Sequence, residues 1–257
     1  MWVLATLTPL RWMPVREAAF RAARARARRR RLKLEARGDE SLSHPAMFGM
    51  DTRLAALLGR DGYFVEAGAN DGYNSSNTYY LERFHGWRGL LVEPMPNLAD
   101  EARRNRPASR VVQAALTDAD GAGKPVPMKY AGLVSIVAGA KGSEEADREW
   151  VAGAFIRGEA DVRDIDVPGR TLSELLDEAG APEVDLLSLD VEGWEAYALR
   201  GLDLDRHAPR WLLIEAHEPE DRERIEAVLG DRYVHVERFS QMDELYRRAD
   251  VPPAPAS

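Results

Sequence analysis

FVEAGANDG, residues Phe64–Gly72, passes from two apolar residues through an acid into a small-residue turn closed by Gly72. This is the outline of a buried strand, a tight glycine turn and a helix start, the corner on which α/β folds seat nucleotide-like ligands. Gly68 lets the backbone approach a ligand, because a side chain there is expected to fill the ligand's space. The glycines fall as G-x-x-x-G. That is neither the G-x-G-x-x-G of a dinucleotide fold nor the G-x-x-x-x-G-K-S/T of a phosphate loop.

Working outward, strands and helices alternate. Upstream, 43–59 reads as an amphipathic helix with Leu54, Leu57 and Leu58 on its apolar face, stopped at Gly59; the first strand, Tyr63–Ala67, follows. Downstream come a helix over 75–86 capped by Asn74 or Ser75, a buried strand over 89–94, a helix over 96–105 and a third strand over 111–116. The middle is less regular, with a hairpin over 126–137 and a polar helix or lid over 142–158. Thr171–Glu174 (TLSE) is a capping box opening a helix that ends at Gly180. Buried strands over 186–191 and 211–217 flank a short helix over 194–200. A helix over 219–229, with Pro219 in its first turn, precedes a closing antiparallel pair over 233–239 and 244–249. This order predicts an α/β fold with a doubly wound, mainly parallel sheet and right-handed crossovers.

A chain of 257 residues, 45% of them hydrophobic, suits one α/β domain, placed at 43–250 between an arm (1–42) and a Pro/Ala tail (251–257) expected to be disordered. There is no cysteine, which excludes disulfides, thiolate nucleophiles and cysteine metal sites. The net charge of −8 hides an asymmetry: residues 16–37 carry 10 Lys/Arg against two acids, and the remainder carries 25 basic and 41 acidic residues. An acidic body is a poor general nucleic-acid binder, so no specific nucleic-acid partner is expected. The arginine-rich arm, helical or disordered, offers contact with an anionic membrane surface, but a solvated extension is the simpler reading. The apolar start Met1–Leu10 is far short of the roughly 18 residues of a membrane span and lacks a leading basic region, so the protein reads as cytoplasmic.

In an open α/β sheet the ligand lies outside the carboxyl ends of the strands. Strand one ends in Glu66 and the glycine turn. Strand two ends in Glu93, 25 residues after Gly68, the spacing at which an acid accepts from ribose hydroxyls. Strand four ends in Asp190 and Glu192, strand five in Glu215 and His217, each pair with matching parity. Three carboxylates and an imidazole along one edge offer a general base for a hydroxyl, or ligands for Mg²⁺ or Mn²⁺. The metal-free base is the preferred reading. A single strand-end acid is as readily a helix cap, but Asp190 closes an apolar run, where an unpaired carboxylate is costly.

FVEAGANDG, SSNTYYLE, GWRGLLVEPMP and above all DLLSLDVEGWEAYALRGLD (Asp185–Asp203) followed by WLLIEAHE resemble the FkbM family of S-adenosylmethionine-dependent methyltransferases, over roughly 43–249. The resemblance implies a seven-stranded class I methyltransferase fold with an antiparallel strand near the C-terminus, and methyl transfer to oxygen, on a small-molecule or sugar acceptor. It also implies that Gly68, Asn70 and Gly72 wrap the methionine part of the cofactor, with Glu66 holding its amino end. Glu93 would bind the ribose, Ala115 and Leu116 would line the adenine, and Asp190 would face the transfer site, with 75–79 shaping the pocket. A nicotinamide-dependent oxidoreductase is disfavoured by the missing G-x-G-x-x-G and the lack of a Tyr-x-x-x-Lys pair. A catalytically silent binding module is disfavoured because no motif is broken. The arm and the region 124–166 fall outside the family pattern, and the acceptor's identity and the oligomeric state are not encoded in these motifs.

Overall fold

The structure, a computed structural model, describes residues 13–131, 134–156 and 162–253, which divide between Ser43 and His44 into two compact units. The first unit contains helix α1 (Met13–Glu35), whose last turn is tied down by Glu35: it lies 3.7 Å from Arg31 and accepts from Ser43 Oγ at 2.9 Å. Among the described residues no helix is long and apolar enough to cross a membrane. The apolar start Met1–Leu10 and the end of the Pro/Ala tail lie outside the described residues.

The second unit runs α2 (Met50–Leu58), β1 (Tyr63–Ala67), α3 (Tyr79–Phe84), β2 (Arg88–Val92), α4 (Pro96–Asn105), β3 (Arg110–Val112) and β4 (Ala115–Leu116). Then come β5 (Pro125–Tyr130), β6 (Ile136–Val137), α5 (Glu144–Ile156), β7 (Arg163–Arg170), α6 (Leu172–Ala179) and β8 (Leu186–Leu189). The chain continues as α7 (Glu195–Arg200), β9 (Trp211–Glu215), α8 (Pro219–Leu229), β10 (Tyr233–Arg238) and β11 (Asp243–Arg248).

Seven strands form one sheet in the order β10-β11-β9-β8-β1-β2-β3. β3, β2, β1, β8 and β9 pair in parallel, whereas β11 runs antiparallel to both β9 and β10. Every residue of β8 and β9 is buried, as expected of parallel strands covered on both faces. The order reverses direction beside β1, whose neighbours are β2 on one side and β8 on the other, so the carboxyl ends of β1, β2, β8 and β9 frame the ligand crevice. The Thr171–Glu174 capping box forms as read, with Gly180 in the left-handed region ending α6.

Several elements differ from the sequence reading. The helix expected over 43–59 forms only from Met50, as α2, after a single 3-10 turn over Met47–Gly49. The helix expected from 75 begins only at Tyr79, because Ser76, Asn77 and Thr78 turn inward to hydrogen-bond Glu66. The strand expected over 111–116 splits: β3 stays in the main sheet, and β4 crosses to a second sheet of order β4-β7-β5-β6. β7 was not foreseen, since its sequence RDIDVPGR carries a proline and a glycine that argue against a strand. β5 supplies the partner for Arg163–Pro168, and the pairing overrides the local signals.

Candidate active site

Arg106, just past α4, sets the base of the site. It is fully buried, with Nε donating to Glu82 Oε2 (2.9 Å) and Nη1 to Glu66 Oε2 (3.2 Å), Ser76 Oγ (3.1 Å) and the Gly72 carbonyl (3.3 Å). Its Nη2 donates to Thr78 Oγ1 at 2.9 Å. Glu66, at the end of β1, also accepts from Ser76 Oγ (2.9 Å), Asn77 N (2.8 Å) and Thr78 Oγ1 (2.8 Å). A carboxylate offers about four lone-pair sites, so Glu66 is saturated by its own protein. It orders 76–78 and has little capacity left for a ligand. Nothing in the sequence marked Arg106 or Glu82, because their partners lie 24 to 40 residues away along the chain.

The glycine corner follows. Gly68 has φ +79°, and a Cβ there would stand 1.7 Å from the Asp190 carbonyl oxygen. The residue is therefore glycine because β1 and β8 converge there, a different reason from the expected closeness of a ligand. Gly72, at φ +74°, packs in the same manner against α4, with Ala102 Cα 3.0 Å from where a Cβ would sit. Between them Asn70, also at positive φ (50°), donates its N–H to Glu93 Oε2 at 2.7 Å. The other Glu93 oxygen accepts from Met95 N at 2.9 Å. Burial raises the Glu93 carboxyl to about 7, with Asp71 adding repulsion and the two backbone donors opposing.

From this corner a cavity of about 470 Å³ extends across the strand ends, within the roughly 300–1,000 Å³ range of small-molecule sites. Gly68, Asn70 and Glu93 line one end. Ala115 and Leu116 of β4 line an apolar wall with Leu98, Met128 and Val137, so the crossing of β4 to the second sheet is what brings them to the pocket. Asn77 is buried on the wall: its Nδ2 donates to Ser188 Oγ (3.0 Å), and its Oδ1 has no hydrogen-bond partner.

Asp190, Glu192, Glu215 and His217 line the same cavity, entering it from the Asp190 backbone that abuts Gly68. β8 stops at Leu189, so strand parity does not place Glu192; a turn does. Glu192 adopts φ +59°, and Glu195 fixes the turn by accepting from Val191 N (2.9 Å) and Gly193 N (3.1 Å). Burial, then Glu215 and Glu195, hold the Asp190 carboxyl well above the usual carboxylate range. Burial and the neighbouring Asp190 raise Glu192 to about 8, opposed by Lys141; burial and Glu192 raise Glu215 to about 9. Asp243, opposite Glu215 in the β9–β11 ladder, is also raised, first by burial. The approach to α5 covers this edge. Lys141 Nζ lies 3.7 Å from the Trp150 ring centroid, and Trp150 meets the His217 ring edge-on at 5.4 Å. The polar helix expected over 142–158 is thus α5, and its Trp150 lines the pocket.

The donor set fits S-adenosylmethionine: a buried acid beside the glycine corner for the ribose diol, an apolar wall for the adenine, and the orphaned Asn77 Oδ1 for an ammonium group.

The model of the methyltransferase FkbM domain matches residues 66–250. Solved structures with similar folds include a TehB-like SAM-dependent methyltransferase from Corynebacterium glutamicum (14% identity, 88% of this chain and 98% of that chain, TM-score 0.43). Another is the methyltransferase FkbM from Methylobacillus flagellatus (17% identity, 80% and 47%, TM-score 0.46), about half of whose length this chain spans. A third is the Aeropyrum pernix fibrillarin with natively bound S-adenosyl-L-methionine (10% identity, 81% and 76%, TM-score 0.42). No curated protein sequence matches. With the family model covering well over half of its length and the sheet in class I methyltransferase order, the chain belongs to the FkbM family of S-adenosylmethionine-dependent methyltransferases.

Proposed function

We propose that this methyltransferase acts on a hydroxyl oxygen of a small molecule or sugar. The observation that carries the reading is the single cavity joining the Gly68–Glu93 corner to the acidic edge. Glu93 accepts from the ribose hydroxyls, Asn70 and the glycine turn hold the chain of the cofactor, and Ala115 with Leu116 packs against its adenine. Asn77 Oδ1, rather than the saturated Glu66, receives the amino end. When bound, the cofactor supplies an electrophilic methyl group on a sulfonium. The acceptor hydroxyl meets it at the Asp190 end of the cavity, where positioning supplies much of the acceleration. The hydroxyl oxygen forms the new bond to the methyl carbon, the electron pair of the broken carbon–sulfur bond stays on sulfur, and the hydroxyl proton passes to Asp190 or His217. A raised carboxyl is a stronger base once ionised, which suits an alkyl alcohol.

The test is methyl transfer from isotopically labelled cofactor to a panel of polyols, sugars and amines, with NMR assigning the atom methylated. Oxygen methylation that falls ~10²–10⁴-fold in Asp190→Asn is expected. Methylation confined to nitrogen or carbon, or full activity in both Asp190→Asn and His217→Ala, would remove the reading.

A further inference from the structure

We propose that Glu192, Glu215 and His217 form a divalent-cation site, of the Mn²⁺ or Mg²⁺ class, at the acceptor end of the cavity; the inference rests on the methyltransferase reading of that cavity. Each residue offers one ligand atom, and the three atoms lie within 4.8 Å of one another. The independent observation is that all three side chains present an orphan. Glu192 Oε2, Glu215 Oε2 and His217 Nε2 are buried atoms without a hydrogen-bond partner, and Glu215 as a residue is only 7% exposed. Buried polar atoms are ordinarily satisfied, so three unsatisfied ones converging on one point require an occupant.

The spacing identifies the occupant. Glu215 Oε2 and His217 Nε2 stand 3.1 Å apart yet do not make a hydrogen bond. Two ligands on one ion, each about 2.1 Å away and at right angles, are about 3.0 Å apart. The pair therefore has the separation of co-ligands. Charge points the same way. Asp190, Glu195 and Asp243 crowd the same edge, and at Glu192 the acids are opposed by Lys141, which stacks on Trp150, and by His217 itself. Two carboxylates with one imidazole suit Mn²⁺ better than Ca²⁺, which takes oxygen alone in most sites. An octahedral ion held by three protein ligands keeps three positions open to the cavity. Two of these match adjacent oxygens of a vicinal diol or a hydroxy acid, which narrows the acceptor to a chelating one. A cation at that point lowers the proton affinity of the hydroxyl it receives, and Asp190, left outside the ligand set, takes the proton.

The strain at Glu192 belongs to the same picture. A non-glycine residue at φ +59° persists where its surroundings determine it. Here the Glu195 carboxylate holds the turn and aims Glu192 at the other two ligands.

The full-length protein, stripped with chelator, is to be titrated with Mn²⁺ and followed by thermal unfolding and by the paramagnetic resonance of the bound ion. Saturation is expected to raise Tm by roughly 5 °C or more, with Mg²⁺ competing. Glu192→Gln and Glu215→Gln should each unfold at or above the wild-type Tm without metal, since each removes a repelled carboxylate, and each should lose most of the Mn²⁺ response. S-adenosylhomocysteine affinity should stay within about threefold in both variants, because neither side chain takes part in the Asn70–Glu93–Met95 hydrogen bonds of the cofactor corner. A wild type that binds S-adenosylhomocysteine but shows no Mn²⁺ signal, as a simple His217–Glu215 ion pair requires, would overturn the cation site and spare the methyltransferase reading. An Mn²⁺ response undiminished in the variants would overturn it as well. Failure of S-adenosylhomocysteine to bind would instead strike the parent reading.

Discussion

Replacing Arg106 with Met removes the cation that pairs with both Glu66 and Glu82 while keeping most of the side chain's length and apolar bulk. Arg106 is fully buried and donates to two carboxylates, Ser76 Oγ, Thr78 Oγ1 and two carbonyls, while its guanidinium lies 5.0 Å from the Phe64 ring centroid. Breaking a buried pair by deleting one partner costs about 3–5 kcal/mol, because the surviving charge is left uncompensated. Two carboxylates are stranded here, so the upper end of that range is expected, against a total of about 5–15 kcal/mol for an ordinary domain. Urea unfolding measures the loss, with the slope of the transition checking that the unfolded state is unchanged. Ser76 and Asn77, which line the cavity, are tied to the same charge network, so S-adenosylhomocysteine affinity should fall together with stability. Adding Glu66→Gln and Glu82→Gln to Arg106→Met should recover part of the loss. A penalty under about 1 kcal/mol in Arg106→Met, with ligand affinity intact, would refute the view that this charge network shapes the pocket.

Gly68→Ala should lose roughly 2–5 kcal/mol even without ligand, from the left-handed backbone and the contact with the Asp190 carbonyl; urea unfolding at wild-type stability would be the contrary result. Glu93→Gln should weaken S-adenosylhomocysteine by roughly 1–3 kcal/mol in calorimetry, with little change in fold. In metal-free protein the raised carboxyls of Glu93 (about 7), Glu192 (about 8) and Glu215 (about 9) bind more protons folded than unfolded. Their contribution is complete below the unfolded value of about 4.5 and is lost as pH rises through about 7–9, so urea midpoints should fall over that window; a flat or rising profile would contradict the assignment.

Much of the scaffold was legible because its signals are local. The apolar runs of β1, β2, β8 and β9, the capping box at Thr171 and the proline and glycine bounding α8 each act within a few residues. The reading slipped where distant partners decide. Ser76–Thr78 has the composition of a helix start but is drawn off by Glu66, and 111–116 looks like one strand but divides between two sheets. At the site, Glu93, Asp190 and His217 were found from strand ends alone, although β8 is shorter than expected and Glu192 reaches the cavity by a left-handed turn instead of by parity. Arg106 carried no sequence signal, since an arginine after a helix is an ordinary surface residue until the fold closes around it, and Asn77 was marked only as one of the residues 75–79 that the resemblance set at the pocket, without a role of its own.

The most direct measurement is calorimetric titration of the full-length protein with S-adenosylhomocysteine, with NAD⁺ as the control. One molecule of S-adenosylhomocysteine per chain is predicted, with an affinity lowered roughly 10- to 100-fold in Glu93→Ala and no heat from NAD⁺. Absence of S-adenosylhomocysteine binding, or equal affinity in wild type and Glu93→Ala, would contradict the account.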